Sequence, residues 1–97
     1  MAKLENKFKT DLCNRIEHEF PGSMIFHLDP TEKKGIPDLL VLHKAKWAAL
    51  EGKKSTNASR RLHQDYYVEK MNGMSYASFI YPENEEQVIK DLHKLFD

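Results

Sequence analysis

Asp38, Glu51 and Lys53 are the residues of this sequence whose types and spacing can do chemistry. The run GIPDLLVLHKAKWAALEGKK, residues 35–54, reads as two short apolar strands joined by a basic turn. Asp38 stands at the start of the first strand, and Glu51 and Lys53 stand two apart at the end of the second. Alternation along a strand points Glu51 and Lys53 to one face. An antiparallel hairpin brings Asp38 toward them. Charges set into an otherwise apolar sheet cost roughly several kcal/mol unless a partner, such as a cation, offsets them. A surface cluster of salt bridges is the plainer explanation of the same three residues.

The first helix supplies a further acid. At 100° per residue, Leu4, Phe8, Leu12, Ile16 and Phe20 make one apolar stripe, and Glu5 falls on it between the bearings of Leu12 and Ile16. Glu19 lies at the edge of the stripe and competes for the same role, whereas Glu17 faces away. An acid in the first turn also suits the helix dipole, which is the ordinary reading of Glu5. Hard oxygen donors, with five histidines (His18, His27, His43, His63, His93) that show no zinc spacing, favour Mg²⁺ or Mn²⁺. Such an ion binds a phosphodiester oxygen, lowers the pKa of an attacking water and neutralises the charge that develops. Lys53, beside the acids, can orient that water or stabilise the pentavalent phosphate. Together these are the components of metal-dependent phosphodiester hydrolysis.

Several elements must position these groups. The spacing predicts a helix over 3–20 ended by Pro21-Gly22, a strand over 24–28, and a loop over 29–35 that carries Lys33 and Lys34. Strands follow over 39–42 and 47–53, with Pro37 fixing the backbone before Asp38 and a turn at 43–46. A second helix runs from a Ser59 cap to about residue 72, with Leu62 and Tyr66, and next to them Tyr67 and Met71, on its inner side. Gly73 stops it. A strand over 75–81 ends at Pro82, and Asn84 with Gln87 reads as a capping box for a last helix. Val88, Ile89, Leu92, Leu95 and Phe96 are its core face. The order is α-β-β-β-α-β-α, an α/β fold with a central mixed sheet flanked by helices, expected as a single domain over 1–97.

Composition agrees with a small folded domain: 40% of the residues are hydrophobic and 31% charged, which is neither disordered nor membrane-like. The longest apolar runs are too short for a membrane span, and the N-terminus lacks a signal-peptide pattern. The one cysteine, Cys13, cannot form an internal disulfide, which fits a cytoplasmic location. Net charge is zero but unevenly spread. Residues 31–63 hold eight Lys/Arg against three Asp/Glu, net +5, while 1–30 carry −1 and 64–97 carry −4. A basic field around an acidic pocket suits a polyanion, and a solvated basic loop accounts for the charge equally well. Lys33, Lys34, Lys54, Arg60 and Arg61 are the candidate phosphate contacts. Trp47, Tyr66 and Tyr67 read as packing residues rather than base-stacking platforms.

Pro37-Asp38, twelve intervening residues, then Glu51-Gly52-Lys53 resembles the PD-(D/E)XK nuclease signature. The resemblance extends from Glu5 to the last helix and implies a restriction-endonuclease-like core. GIPDLLV followed by an E-x-K strand is most similar to the small VRR-NUC and Holliday-junction-resolvase-like nucleases, many of them phage or archaeal proteins. That branch tends to carry a shorter, more polar stretch before its glutamine, where this sequence has the link KSTNASRRLHQ with two arginines. The resemblance implies metal-binding acids at Asp38, Glu51 and Glu5, a catalytic lysine at Lys53 and a supporting glutamine at Gln64. It implies an Mg²⁺-dependent endodeoxyribonuclease, with Mn²⁺ as a substitute, acting on branched DNA such as a Holliday junction or flap. A phage-encoded homodimer acting in the host cytoplasm would fit. A non-catalytic nucleic-acid-binding module that keeps the fold, or a partner-binding domain using its acidic last helix, are the competing expectations.

Overall fold

The computed structural model describes residues 2–29, 33–57 and 62–97, apart from the side chains of residues 2–5 and 62. Among them lie α1 (Ala2–Glu19), β1 (Met24–His27), β2 (Leu39–His43), β3 (Lys46–Gly52), α2 (Leu62–Asn72), β4 (Tyr76–Ile80) and α3 (Glu85–Phe96). This is the α-β-β-β-α-β-α order expected of the sequence. The strands form one mixed sheet in the order β1-β2-β3-β4, antiparallel at its first two pairings and parallel where β3 meets β4. The parallel pairing requires a crossover, which α2 supplies.

Alternation along β2 and β3 sorts the side chains into two layers. Leu39, Val41, Ala48 and Leu50 join Ile80 beneath α1 and α3, against Leu12, Ile16, Phe20, Val88, Ile89, Leu92 and Phe96. Ala49, Ala77 and Phe79 face the opposite side and pack on Val68 of α2, with Trp47, Met71 and Tyr81 at the edge. A strand paired on both edges and covered on both faces has no solvated side. Ala48, Ala49 and Leu50 are accordingly fully buried. Glu51 continues that strand, so its charge is buried by position. A two-residue turn joins β2 to β3, with Lys44 in the left-handed region (φ 58°) and its ammonium on the Phe96 carbonyl at 3.3 Å.

Charged side chains clasp α1 to α3. The Arg15 guanidinium donates to Glu85 at 2.6 Å and to Glu86 at 2.8 and 3.0 Å, at the start of α3. Glu19 accepts from Arg15 at 3.2 Å and meets His93 at 2.8 Å, and His93 reaches Asp97 at 2.7 Å with its other nitrogen.

Two local expectations are corrected. Asn84 is the N-cap residue of α3, but its side chain makes no cap hydrogen bond, and Gln87 donates instead to Asp91 at 3.0 Å. The Asn84 amide turns back to β4, accepting from the Tyr81 N–H at 2.9 Å and donating to the Phe79 carbonyl at 3.0 Å. The capping box is lost because the turn after β4 uses the same side chain. On α2, Tyr66 is 58% exposed rather than inward, while Gln64 and Val68, one turn apart, are buried. The Ser59 cap lies outside the described residues.

Candidate active site at the end of β3

Glu51, Lys53 and Gln64 are the buried polar or charged residues among the described ones, at 6%, 9% and 9% exposure. They touch one another. The Lys53 ammonium donates to Gln64 Oε1 at 2.9 Å, and Gln64 Nε2 donates to Glu51 Oε2 at 3.1 Å. Lys53 Nζ lies 3.8 Å from the same Glu51 oxygen. Strand alternation sets Glu51 and Lys53 on the α2 side of the sheet, and the first turns of α2 lay Gln64 across both. The Lys53 N–H donates to the Ile80 carbonyl at 2.8 Å, so parallel pairing with β4 carries the backbone past the end of β3.

Asp38 is tied to the same strand end by its other neighbours. It precedes Leu39, which pairs with Leu50, and continuing that register by one residue sets Asp38 opposite Glu51. The Asp38 carbonyl accepts the Leu28 N–H at 2.8 Å, and its Oδ1 accepts the Gly52 N–H at 3.2 Å. Its Oδ2 pairs with the ammonium of Lys9, from α1. Lys9 also lies against Gly52, where a Cβ would come within 3.0 Å of its Cγ and Cε. Cys13, one turn along α1, is half-buried. Its thiol pKa is pushed up by burial first, then by the carboxylates of Glu17 and Asp38, while Lys9 opposes them.

Gly35 joins the loop before β2 to the helix that carries Gln64. Its φ is +90°, and a Cβ there would lie 2.6 Å from the His63 carbonyl carbon and 2.9 Å from the Gln64 nitrogen. The absence of a side chain lets this loop close on the first turn of α2. The same loop leads through the buried Pro37 to Asp38.

The expected residues therefore fall into three groups. Glu51, Lys53 and Gln64 form one hydrogen-bonded set, with Asp38 attached through the Gly52 N–H. Glu5 lies on α1, and its side chain, like Arg60 and Arg61, is outside the described residues. Lys33 and Lys34 are exposed and Lys54 is half-buried. Glu19 does not compete with Glu5, because Arg15 and His93 hold it against α3. His27 and His63 are exposed, and His63 presents its backbone and Cβ to Gly35.

Lys9 is the residue that sequence reasoning missed. At 100° per residue it falls between the bearings of Ile16 and Phe20, on the same apolar stripe that singled out Glu5. A lysine on a buried stripe signals a nearby carboxylate, since a long stem can cross apolar surface to reach one.

Hard carboxylate oxygens at adjoining strand ends, each already balanced by an ammonium group, are a donor set that suits Mg²⁺ or Mn²⁺. Among the described residues, no three His, Cys, Asp or Glu side chains are grouped so as to hold a metal ion. Among the same residues, no helix is long and apolar enough to cross a membrane. Compared with models of known protein families and with curated proteins, the sequence matches none.

Proposed function

We propose that this protein is a metal-dependent DNA endonuclease that hydrolyses phosphodiester bonds, with branched DNA as its preferred substrate. The observation that carries the reading is the buried Glu51–Gln64–Lys53 set at the end of a central strand, with Asp38 held one residue away. Burying two opposite charges and an amide at a strand end contributes less stability than apolar packing would. Chemistry is the reason for keeping them there.

Asp38 and Glu51, with Glu5 from α1 as the third candidate, would hold the Mg²⁺ ion. When bound, that ion supplies a water of lowered pKa and neutralises charge on the phosphate. Lys53 donates to the attacking water or to a phosphate oxygen. Gln64 fixes where the ammonium stands, because its oxygen accepts a hydrogen bond from Lys53 and its amide nitrogen donates one to Glu51. Lys33, Lys34 and Lys54 bind the DNA backbone beside the cut, with Arg60 and Arg61 on the same loop-to-helix link. Cutting both strands of a junction needs two sites, so a homodimer goes with this substrate. The unpaired Cys13 accords with work in a reducing cytoplasm, a phage's host included.

The test is cleavage of labelled four-way junction, flap, linear duplex and single strand in Mg²⁺, Mn²⁺ or EDTA, with light scattering for the oligomer. Metal-dependent cutting strongest on a branched substrate, by a dimer, supports the proposal in full. A second reading, a non-catalytic nucleic-acid-binding module, draws on the Lys9 ammonium at Asp38, a contact that serves a metal-free site. Salt-sensitive binding to DNA with no cutting in either metal would favour it.

A further inference from the structure

We infer that Lys9 is a built-in counter-ion for Asp38 and competes with a divalent cation for that carboxylate. The inference rests on the metal-dependent reading above and adds to it a residue outside the resemblance that suggested the site. The two Asp38 oxygens are held in different ways. Oδ1 accepts a main-chain N–H that moves only with β3, whereas Oδ2 is held by a flexible side chain from another layer. Both side chains of that pair are 22% exposed, so the carboxylate is withdrawn from water and needs a positive partner when no metal is bound. A lysine suits this task, because its ammonium is a hydrated point charge on a stem that can swing back to solvent.

Gly52 gives the Lys9 stem room. The stem lies against this residue, between Glu51 and Lys53, and a Cβ there would stand 3.0 Å from Lys9 Cγ and Cε, so the stem would have to shift by a few tenths of an ångström. Gly52 thus holds both Asp38 oxygens in place, one through its N–H and the other through the lysine that it lets pass. A cation arriving at Asp38 must break the Lys9 pair first, and the apparent affinity is lowered by that amount.

The experiment is a Mn²⁺ titration of the full chain without DNA, followed by isothermal calorimetry and by the electron paramagnetic resonance signal of free Mn²⁺. Wild type is compared with Lys9→Met, Gly52→Ala and Asp38→Asn. Lys9→Met is expected to tighten binding about two- to fivefold, the range for loss of one partly exposed ion pair. Gly52→Ala pushes the Lys9 stem aside at unchanged net charge and is expected to tighten binding in the same direction. Asp38→Asn is expected to abolish uptake, which places the ion. Equal or weaker binding in both Lys9→Met and Gly52→Ala would overturn the inference while leaving the metal site standing. Tightening in Lys9→Met alone would reduce Lys9 to a distant positive charge and overturn it as well. No Mn²⁺ uptake by any of the proteins would remove the metal-dependent reading together with this inference.

Discussion

The Gln64 side-chain oxygen accepts a hydrogen bond from the Lys53 ammonium at 2.9 Å, and this contact orients the one buried cation of the site among the described residues. A lysine at a strand end has four rotatable bonds and would otherwise sample many positions. Gln64 selects one of them. Its amide nitrogen donates to Glu51 at 3.1 Å, so acid, amide and amine are fixed as a unit.

Replacing Gln64 by Leu removes both bonds and leaves two buried charged groups with fewer partners. Stability is expected to fall by about 1–3 kcal/mol, the usual cost of orphaning buried polar groups. Urea unfolding measures it. Cleavage is expected to fall further than stability explains, through a lower kcat rather than a higher KM. An unchanged kcat in a folded Gln64→Leu protein would contradict a positioning role.

The glycines at 22 and 35 share a positive φ that only glycine adopts freely, but not the same surroundings. Their φ values are +91° and +90°, yet a Cβ on Gly22 meets nothing within 4 Å, while one on Gly35 overlaps the first turn of α2. Gly22→Ala is expected to cost about 1–2 kcal/mol from backbone strain alone. Gly35→Ala adds the overlap, for a total of about 2–5 kcal/mol. Thermal melts of the two variants separate these terms, and equal losses would show that the loop before β2 does not close on α2.

How legible was this arrangement in the sequence? The strand hairpin was, because Leu39, Val41, Ala48 and Leu50 are apolar in the alternation that a two-sided sheet demands. Glu51 and Lys53 were placed on one face by the same rule. The orientation of α2 was not legible. Gln64 takes a buried position that an apolar count assigns to a hydrophobe, and the same count turns Tyr66 inward, where the fold exposes it. The bearing of Lys9 on the apolar stripe of α1 marks it as a residue in need of a partner, but that partner, Asp38, is 29 residues away along the chain. Periodicity shows which polar groups are buried and not which distant residue answers them. Asn84 shows the other limit, as a cap-forming residue type whose side chain is claimed by the preceding strand.

Asn84→Ala is expected to destabilise the protein by about 1–2 kcal/mol, because it removes bonds to the Tyr81 N–H and the Phe79 carbonyl. Gln87→Ala, which removes one hydrogen bond from an exposed side chain to Asp91, is expected to fall within about 0.5 kcal/mol of wild type. Chemical denaturation of both variants tests the pair. The reverse order would restore the capping box.

The clasp between α1 and α3 gives stability a pH dependence with two limits. Glu19 and Asp97 raise the His93 pKa above its ordinary 6.5, so this contribution is complete below that value and is lost as pH rises through the raised one. His93 and then Arg15 lower the Glu19 pKa below its ordinary 4.5, so that contribution is complete above 4.5 and is lost as pH falls through the lowered one. The clasp is therefore at full strength between 4.5 and 6.5. The Tm difference between wild type and His93→Gln is expected to be larger at about pH 5.5 than at about pH 8.5. A difference that grows toward alkaline pH would contradict the assignment.

The most direct test of the nuclease reading compares wild type with Asp38→Asn and Lys53→Ala on a labelled four-way junction, in Mg²⁺ and in EDTA. Wild type is expected to cut in Mg²⁺ and not in EDTA. Each variant, folded by circular dichroism, is expected to lose at least about a hundredfold in rate, the scale for removing one group that stabilises developing charge. Wild-type protein that leaves the junction, flap, duplex and single strand all uncut in both Mg²⁺ and Mn²⁺ would contradict the account, as would full activity in either variant.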